Sequence, residues 1–182
     1  MRLSCAALLA FALAGSALRA AAQQATTVIL VRHAEKAAEP AADPPLTMEG
    51  EARAKALLDV AREAGVSVVI TTQFARTRGT GQPVATALGL TPQVVDARSP
   101  THVQDVANAV RAHAGATILV VGHSNTVPAI IAALGAKQPP AICDAEYDNL
   151  YVVTIPAAGT PGLIRARYGE PSHVAAGCGG MK

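Results

Sequence analysis

Tryptophan is absent from the 182 residues and aromatic side chains make up only 3%. A core must therefore be built from Ala, Val, Leu and Ile, and no ring-rich surface exists on which bases could stack, which argues against nucleic acid as a partner. Charge is also scarce, at 15% against 51% hydrophobic residues. With no long segment of biased composition, no repeat and no internal linker, one globular domain is expected and a disordered chain is excluded. No H-x-H, H-E-x-x-H or Cys/His cluster offers metal-ligand spacing, so neither a metal nor another cofactor is expected.

What is present begins with an apolar opening, "MRLSCAALLAFALAGSALRAAAQQ". Arg2 precedes an apolar run from Leu3, and Ala20-Ala21-Ala22 offers a small-x-small cleavage site, so residues 1–22 read as a secretory signal peptide and 23–182 as the mature domain. A periplasmic or secreted protein is expected, with membrane attachment only if the segment is not cleaved. Cleavage would remove Arg2 and Arg19 from the 15 basic residues, leaving 13 against 13 acidic ones. The formal +2 charge therefore does not speak for an anionic polymer, and anion affinity must come from local clustering. Cleavage would also remove Cys5, leaving Cys143 and Cys178 as an expected disulfide in an oxidising compartment. Its loop-entropy contribution would be on the order of 3 to 4 kcal/mol. Oligomeric state is not readable.

Along the chain, strand-type runs alternate with helix-type runs. "TTVILV", "VSVVITT", "PQVVDA" and "ATILVVGH" read as strands. Between them, "TMEGEARAKALLDVAREAG" carries Ala52, Ala56, Leu57 and Val60 on one helical face and Gly65 as a stop. Further helices start near Ala75 and in "THVQDVANAVRAHAG" and "NTVPAIIAALG", and "NLYVVTIP" with "GLIRARYG" suggests a hairpin. The expected class is α/β: a three-layer αβα sandwich with a mostly parallel sheet and a C-terminal antiparallel hairpin. In such sheets ligands bind beyond the carboxyl ends of the strands. The residues there are Arg32 and His33, Thr72 to Arg76, Asp96, and His123, Ser124 and Asn125.

Two His and two Arg at one sheet edge suit a tetrahedral oxyanion, because guanidinium forks match phosphate oxygens. Neighbouring positive charge keeps His33 neutral, and so nucleophilic, provided that a hydrogen bond at its other nitrogen fixes the tautomer. These segments resemble the histidine phosphatase superfamily, also called phosphoglycerate mutase-like. "VRHAEK" resembles its R-H-G signature with Ala34 in place of Gly, and "LTMEGEARA" its L-T-x-x-G-x-x-x-A segment. "TTQFARTRGT" is similar to S-x-x-x-R-[AT]-x-x-T with Thr72 for Ser, and "LVVGHSNT" to the second histidine motif, so that the resemblance spans about residues 27 to 155.

The resemblance implies a phosphoric monoester hydrolase, rather than a phosphomutase, acting on a small phosphorylated substrate. His33 would be the nucleophile, Arg32 and Arg76 the phosphoryl clamp, and His123 a donor that stabilises transition-state charge. Arg78 falls two places past the motif Arg and reads as solvated. The general acid has no direct counterpart. Asp96 is the nearest positional equivalent, followed by Glu35, Glu146 and Asp148, and a weak acid would favour phosphoramidates or phenyl esters. His102 reads as a helix-start residue, and His113 and His173 as solvated.

Two alternatives compete. "VVGHSNT" also resembles a nucleophile elbow, with Ser124 attacking and Asp144 or Asp148 and His173 completing a triad, although Thr126 stands where Gly is expected. Otherwise Asn125 reads as an N-cap. The same pocket could also bind phosphorylated ligands without turnover. The processing expectations are checked by intact mass: secreted protein should begin at Gln23 and gain two protons on reduction, and an unchanged mass would refute the disulfide.

Overall fold

The computed structural model describes residues 24–172. The expected signal segment, Cys178 and His173 lie outside that range; Cys143, within it, is disulfide-bonded. Among the described residues no helix is long and apolar enough to cross a membrane.

The element order is β1 (Thr26–Arg32), α1 (Met48–Glu63), β2 (Val68–Thr71), α2 (Ala75–Leu88), β3 (Gln93–Val94), α3 (His102–Ala112), β4 (Thr117–Gly122), α4 (Val127–Ala133), β5 (Asn149–Ile155) and β6 (Gly162–Arg167). The six strands form one sheet in the order β3-β2-β4-β1-β5-β6. β1, β2, β3 and β4 run parallel, while β5 is antiparallel to β1 and pairs with β6 as a hairpin.

Continuous β-branched runs are what a sheet covered on both faces requires. In β1, Val28 and Leu30 enter a core shared with α3 and α4, through Val106, Val110, Ile130 and Ile131. Ile29 and Val31 enter the opposite core, with Leu57 and Ala61 of α1 and Val84 of α2. Successive side chains point to opposite faces, so one seven-residue strand anchors both layers. The layered α/β class expected from sequence is the one observed.

Helix α1 departs from its apolar reading. Its buried face is Gly50, Arg53, Ala54, Leu57 and Ala61, while Ala52 is exposed. The stripe is rotated because a cation, Arg53, is inside, donating from Nε and Nη2 to the Glu35 carboxylate at 2.7–3.0 Å and from Nη1 to the Tyr168 carbonyl. Counting apolar positions alone could not place a paired arginine on the inner face. Thr47 caps the helix by accepting from Gly50 N–H, and a side chain at Gly50 would overlap the Glu35 carbonyl oxygen. The Thr47 N–H also donates to that carbonyl, so α1 is pressed against the segment following His33.

Helix α2 runs unbroken through Pro83 and ends at Gly89, whose positive φ of 65° suits glycine. Strand β3 shrinks to two exposed residues, and the N-cap of α4 is Thr126, not Asn125. Parallel β1, β2 and β4 all point their carboxyl ends at one edge. Arg53→Ala should leave Glu35 uncompensated and lower stability by about 3 kcal/mol, measured by urea unfolding; a loss within about 0.5 kcal/mol would show that the pair is not a brace.

Candidate active site

Strand β1 delivers Arg32 and His33 to the edge, both 4% exposed. The His33 Nδ1–H donates to the Ala34 carbonyl at 2.8 Å, which leaves the lone pair on Nε2. Its pKa is lowered to about 3, first by burial and then by the charges of Arg32, His123 and Arg76. Positive neighbours thus assist, but desolvation is the larger cause. Ala34 stands in the glycine position of the motif without strain: its N–H donates to Thr80 Oγ1, and among the described residues only glycines have positive φ.

Arg32 is held by backbone. Its Nη1 donates to the carbonyls of Cys143, Asp144 and Glu146 at 2.8, 2.8 and 3.1 Å. Tyr147 lies under the guanidinium, with Cζ 4.1 Å from the ring centroid. Asp144 Oδ1 is 3.9 Å from Nη2, yet that carboxylate is 99% exposed and adds little charge compensation. Burial lowers the Arg32 pKa against the raising influence of Tyr147 and the nearby carboxylates, though a guanidinium keeps its proton. The turn carrying those carbonyls is closed by the buried Glu146, whose Oε2 accepts from Cys143 N–H.

Arg76 enters from the first turn of α2. It sits 4.2 Å above the Phe74 ring and 3.9 Å from Asp43, whose Oδ1 also accepts from Ala75 N–H. The Nε atoms of Arg32 and Arg76 are both buried without a hydrogen-bond partner. His123, at the end of β4, presents its ring 5.5 Å from that of His33 and 5.6 Å from Phe74. Thr72 lies 3.2 Å from His123 Nε2 and fixes its orientation. The His123 pKa is lowered to about 4, by burial first and then by Arg76, His102 and Arg32. The edge therefore gathers two neutral imidazoles and two guanidiniums with unused donors, an environment suited to a small anion.

Comparison with known proteins agrees with this geometry. The model of the histidine phosphatase superfamily (branch 1) matches residues 28–99, which contain Arg32, His33 and Arg76. Over that segment the chain is similar to the histidine phosphatase superfamily. A structure of the protein histidine phosphatase SixA complexed with tungstate is similar at TM-score 0.63 and 20% identity, over 78% of this chain and 96% of that one. A putative alpha-ribazole-5'-P phosphatase from Escherichia coli gives 0.61 and 17%, over 84% and 100%. A putative phosphohistidine phosphatase SixA from Nakamurella multipartitia gives 0.53 and 26%, over 81% and 96%. No curated protein sequence matches the chain.

Other expected residues have different settings. Asp96 is exposed, and its Oδ1 accepts from Arg98 N–H in its own turn. Glu35 is committed to Arg53, Glu146 to its own turn, and Asp148 to Arg167 at 2.6 Å and to Ser172 N–H. Arg78 is exposed, and His113 is half-buried beside Gln93. His102, expected only as a helix start, is buried; its Nδ1–H donates to the Asp96 carbonyl and its Nε2 has no partner. Ser124 is half-buried on a turn with no positive φ, unlike the strained turn of a nucleophile elbow. Among the described residues no cluster of three or more His, Cys, Asp or Glu could hold a metal. Residue-type reasoning missed Phe74, Tyr147 and the carbonyls beneath Arg32; the rarity of aromatics was the one available signal.

The lowered histidine pKa values link folding to pH. Below the ordinary 6.5 the unfolded chain binds protons that folded His33 and His123 refuse down to about 3 and about 4, so these groups make stability rise with pH across that window. His33→Asn should flatten the calorimetric stability–pH slope there by about one proton; an unchanged slope would refute a neutral buried His33.

Proposed function

We propose that the protein is a phosphoric monoester hydrolase acting through a phosphohistidine on His33. The observation that carries this reading is the fixed tautomer: Nδ1–H is spent on the Ala34 carbonyl, so Nε2 offers its lone pair beside two unpaired guanidinium N–H groups. The phosphoryl group settles on Arg32 and Arg76, whose forks complete their hydrogen bonding on its oxygens. Nε2 attacks phosphorus in line, the P–O bond to the leaving group breaks, and water then cleaves the N–P bond. Arrival of a phosphoryl dianion reverses the electrostatics that keep His123 neutral, and the protonated ring donates to the developing charge.

Hydrolysis is favoured over mutase action because the connection from β3 to α3 is short. Only residues 95–101 join β3 to α3, too few to form a lid that would keep water from the phosphohistidine. Similarity to SixA structures supports a phosphoramidate, such as a phosphohistidine side chain, among the candidate substrates. Among the described residues no carboxylate bonds to His33 or His123, which points the same way, since good leaving groups need little protonation.

Purified protein should hydrolyse a chromogenic phosphate monoester, with His33→Ala reducing kcat/KM to background, His123→Ala lowering it by about 10²- to 10³-fold, and Ser124→Ala leaving it within a few-fold. Hydrolysis of the matching carboxylate ester that is lost with Ser124→Ala would overturn the assignment. No turnover of either ester, with inorganic phosphate still raising the melting temperature, would make the protein a binder only.

A further inference from the structure

We propose that Tyr147 is the proton donor to the leaving group, the function that no carboxylate fills. This rests on the phosphatase reading above. Each candidate carboxylate is engaged or faces outward: Glu35 on Arg53, Glu146 and Asp148 in the turn preceding and starting β5, Asp96 in its own Asx turn, and Asp43 on the α2 N-terminus. His102 keeps its proton on Nδ1 for the Asp96 carbonyl, so its neutral ring has none on Nε2 to give.

Tyr147 differs from all of these. Its ring lies 6.2 Å from that of His33, tilted by 56°, with the Arg32 guanidinium stacked 4.1 Å from its centroid. The side chain is only partly buried, and its hydroxyl makes no hydrogen bond within the described protein. Its O–H is thus unengaged, on a ring whose centroid lies 6.2 Å from that of the nucleophile. Its backbone is fixed, because Tyr147 N–H donates to Ser172 Oγ at 2.8 Å and the preceding turn is bound to Arg32. In-line attack places the leaving oxygen across phosphorus from His33 Nε2, so its proton must come from a wall and not from the clamp. Phe74, on the His123 side, has no proton to give.

The step balances without any further reactant. As His33 Nε2 forms its bond to phosphorus, the P–O bond breaks with its electron pair on oxygen, and the Tyr147 hydroxyl proton moves to that oxygen to release an alcohol. The phenolate that remains lies against the Arg32 guanidinium, whose Cζ is 4.1 Å from the ring centroid. In the second step water attacks phosphorus, the phenolate takes its proton, and the N–P bond breaks to return neutral His33 and release phosphate.

Wild type and Tyr147→Phe are to be compared on 4-nitrophenyl phosphate, phenyl phosphate and a simple alkyl phosphate. Tyr147→Phe should lose about 10²-fold in kcat/KM on the alkyl ester and little on the 4-nitrophenyl ester, whose leaving group departs without a proton. Partial misfolding would scale all three substrates equally and cannot mimic that pattern. Equal losses on all three, or none on any, would overturn the proposal, as would the same selective loss in Asp43→Asn or Asp144→Asn in place of Tyr147→Phe. A wild type inert toward all three esters would overturn the phosphatase reading together with it.

Discussion

Positive charge held out of water with little opposing charge is the constraint on which the site depends. A buried guanidinium ordinarily demands a carboxylate, and pairing it fully would cancel the field that binds an anion. Arg32 avoids this by using carbonyl oxygens, which satisfy hydrogen bonds through dipoles and leave the formal charge intact. Arg76 is treated more loosely, with Asp43 at 3.9 Å and the face of Phe74 beneath it. The two imidazoles respond by remaining neutral, which is the state that a nucleophile requires.

The same constraint explains an ion pair outside the pocket. Glu35 follows the nucleophile by two residues, and an unpaired carboxylate there would hold an incoming dianion off and favour imidazolium at His33. Arg53 of α1 neutralises it bidentately, and the close approach allowed by Gly50 brings the helix near enough to do so. Helix packing, the loop after β1 and the charge of the site are thus one arrangement, and the glycine of the L-T-x-x-G segment acts through backbone clearance.

The layered fold was legible because it rests on periodicity: continuous Val/Ile runs, helix-spaced apolar residues and glycine stops each have one dominant physical cause. The convergence of Arg32, His33, Arg76 and His123 followed from strand ends in a parallel sheet. What was hidden has no residue-type signal. Arg53 on a buried face looked like a surface cation until its partner Glu35 was placed, and that rotated the helix stripe away from Ala52 and Ala56. Asp96 sits at the expected position along the chain, with one carboxylate oxygen engaged by its own turn. Tyr147 gained a setting only when the segment before β5 folded back across Arg32, over a sequence separation that pattern reasoning does not span.

That fold-back has an evolutionary consequence. The cradle under Arg32 is made of main-chain oxygens, so the side chains that carry them are free to change as long as the turn keeps its shape. Asp144 could drift to nearly any residue without altering what the arginine touches, since its own side chain stands in solvent. The disulfide at Cys143 and the internal bond of Glu146 preserve the shape itself. Related chains should therefore vary freely at position 144 and resist change at 143 and 146, whose side chains hold the bend.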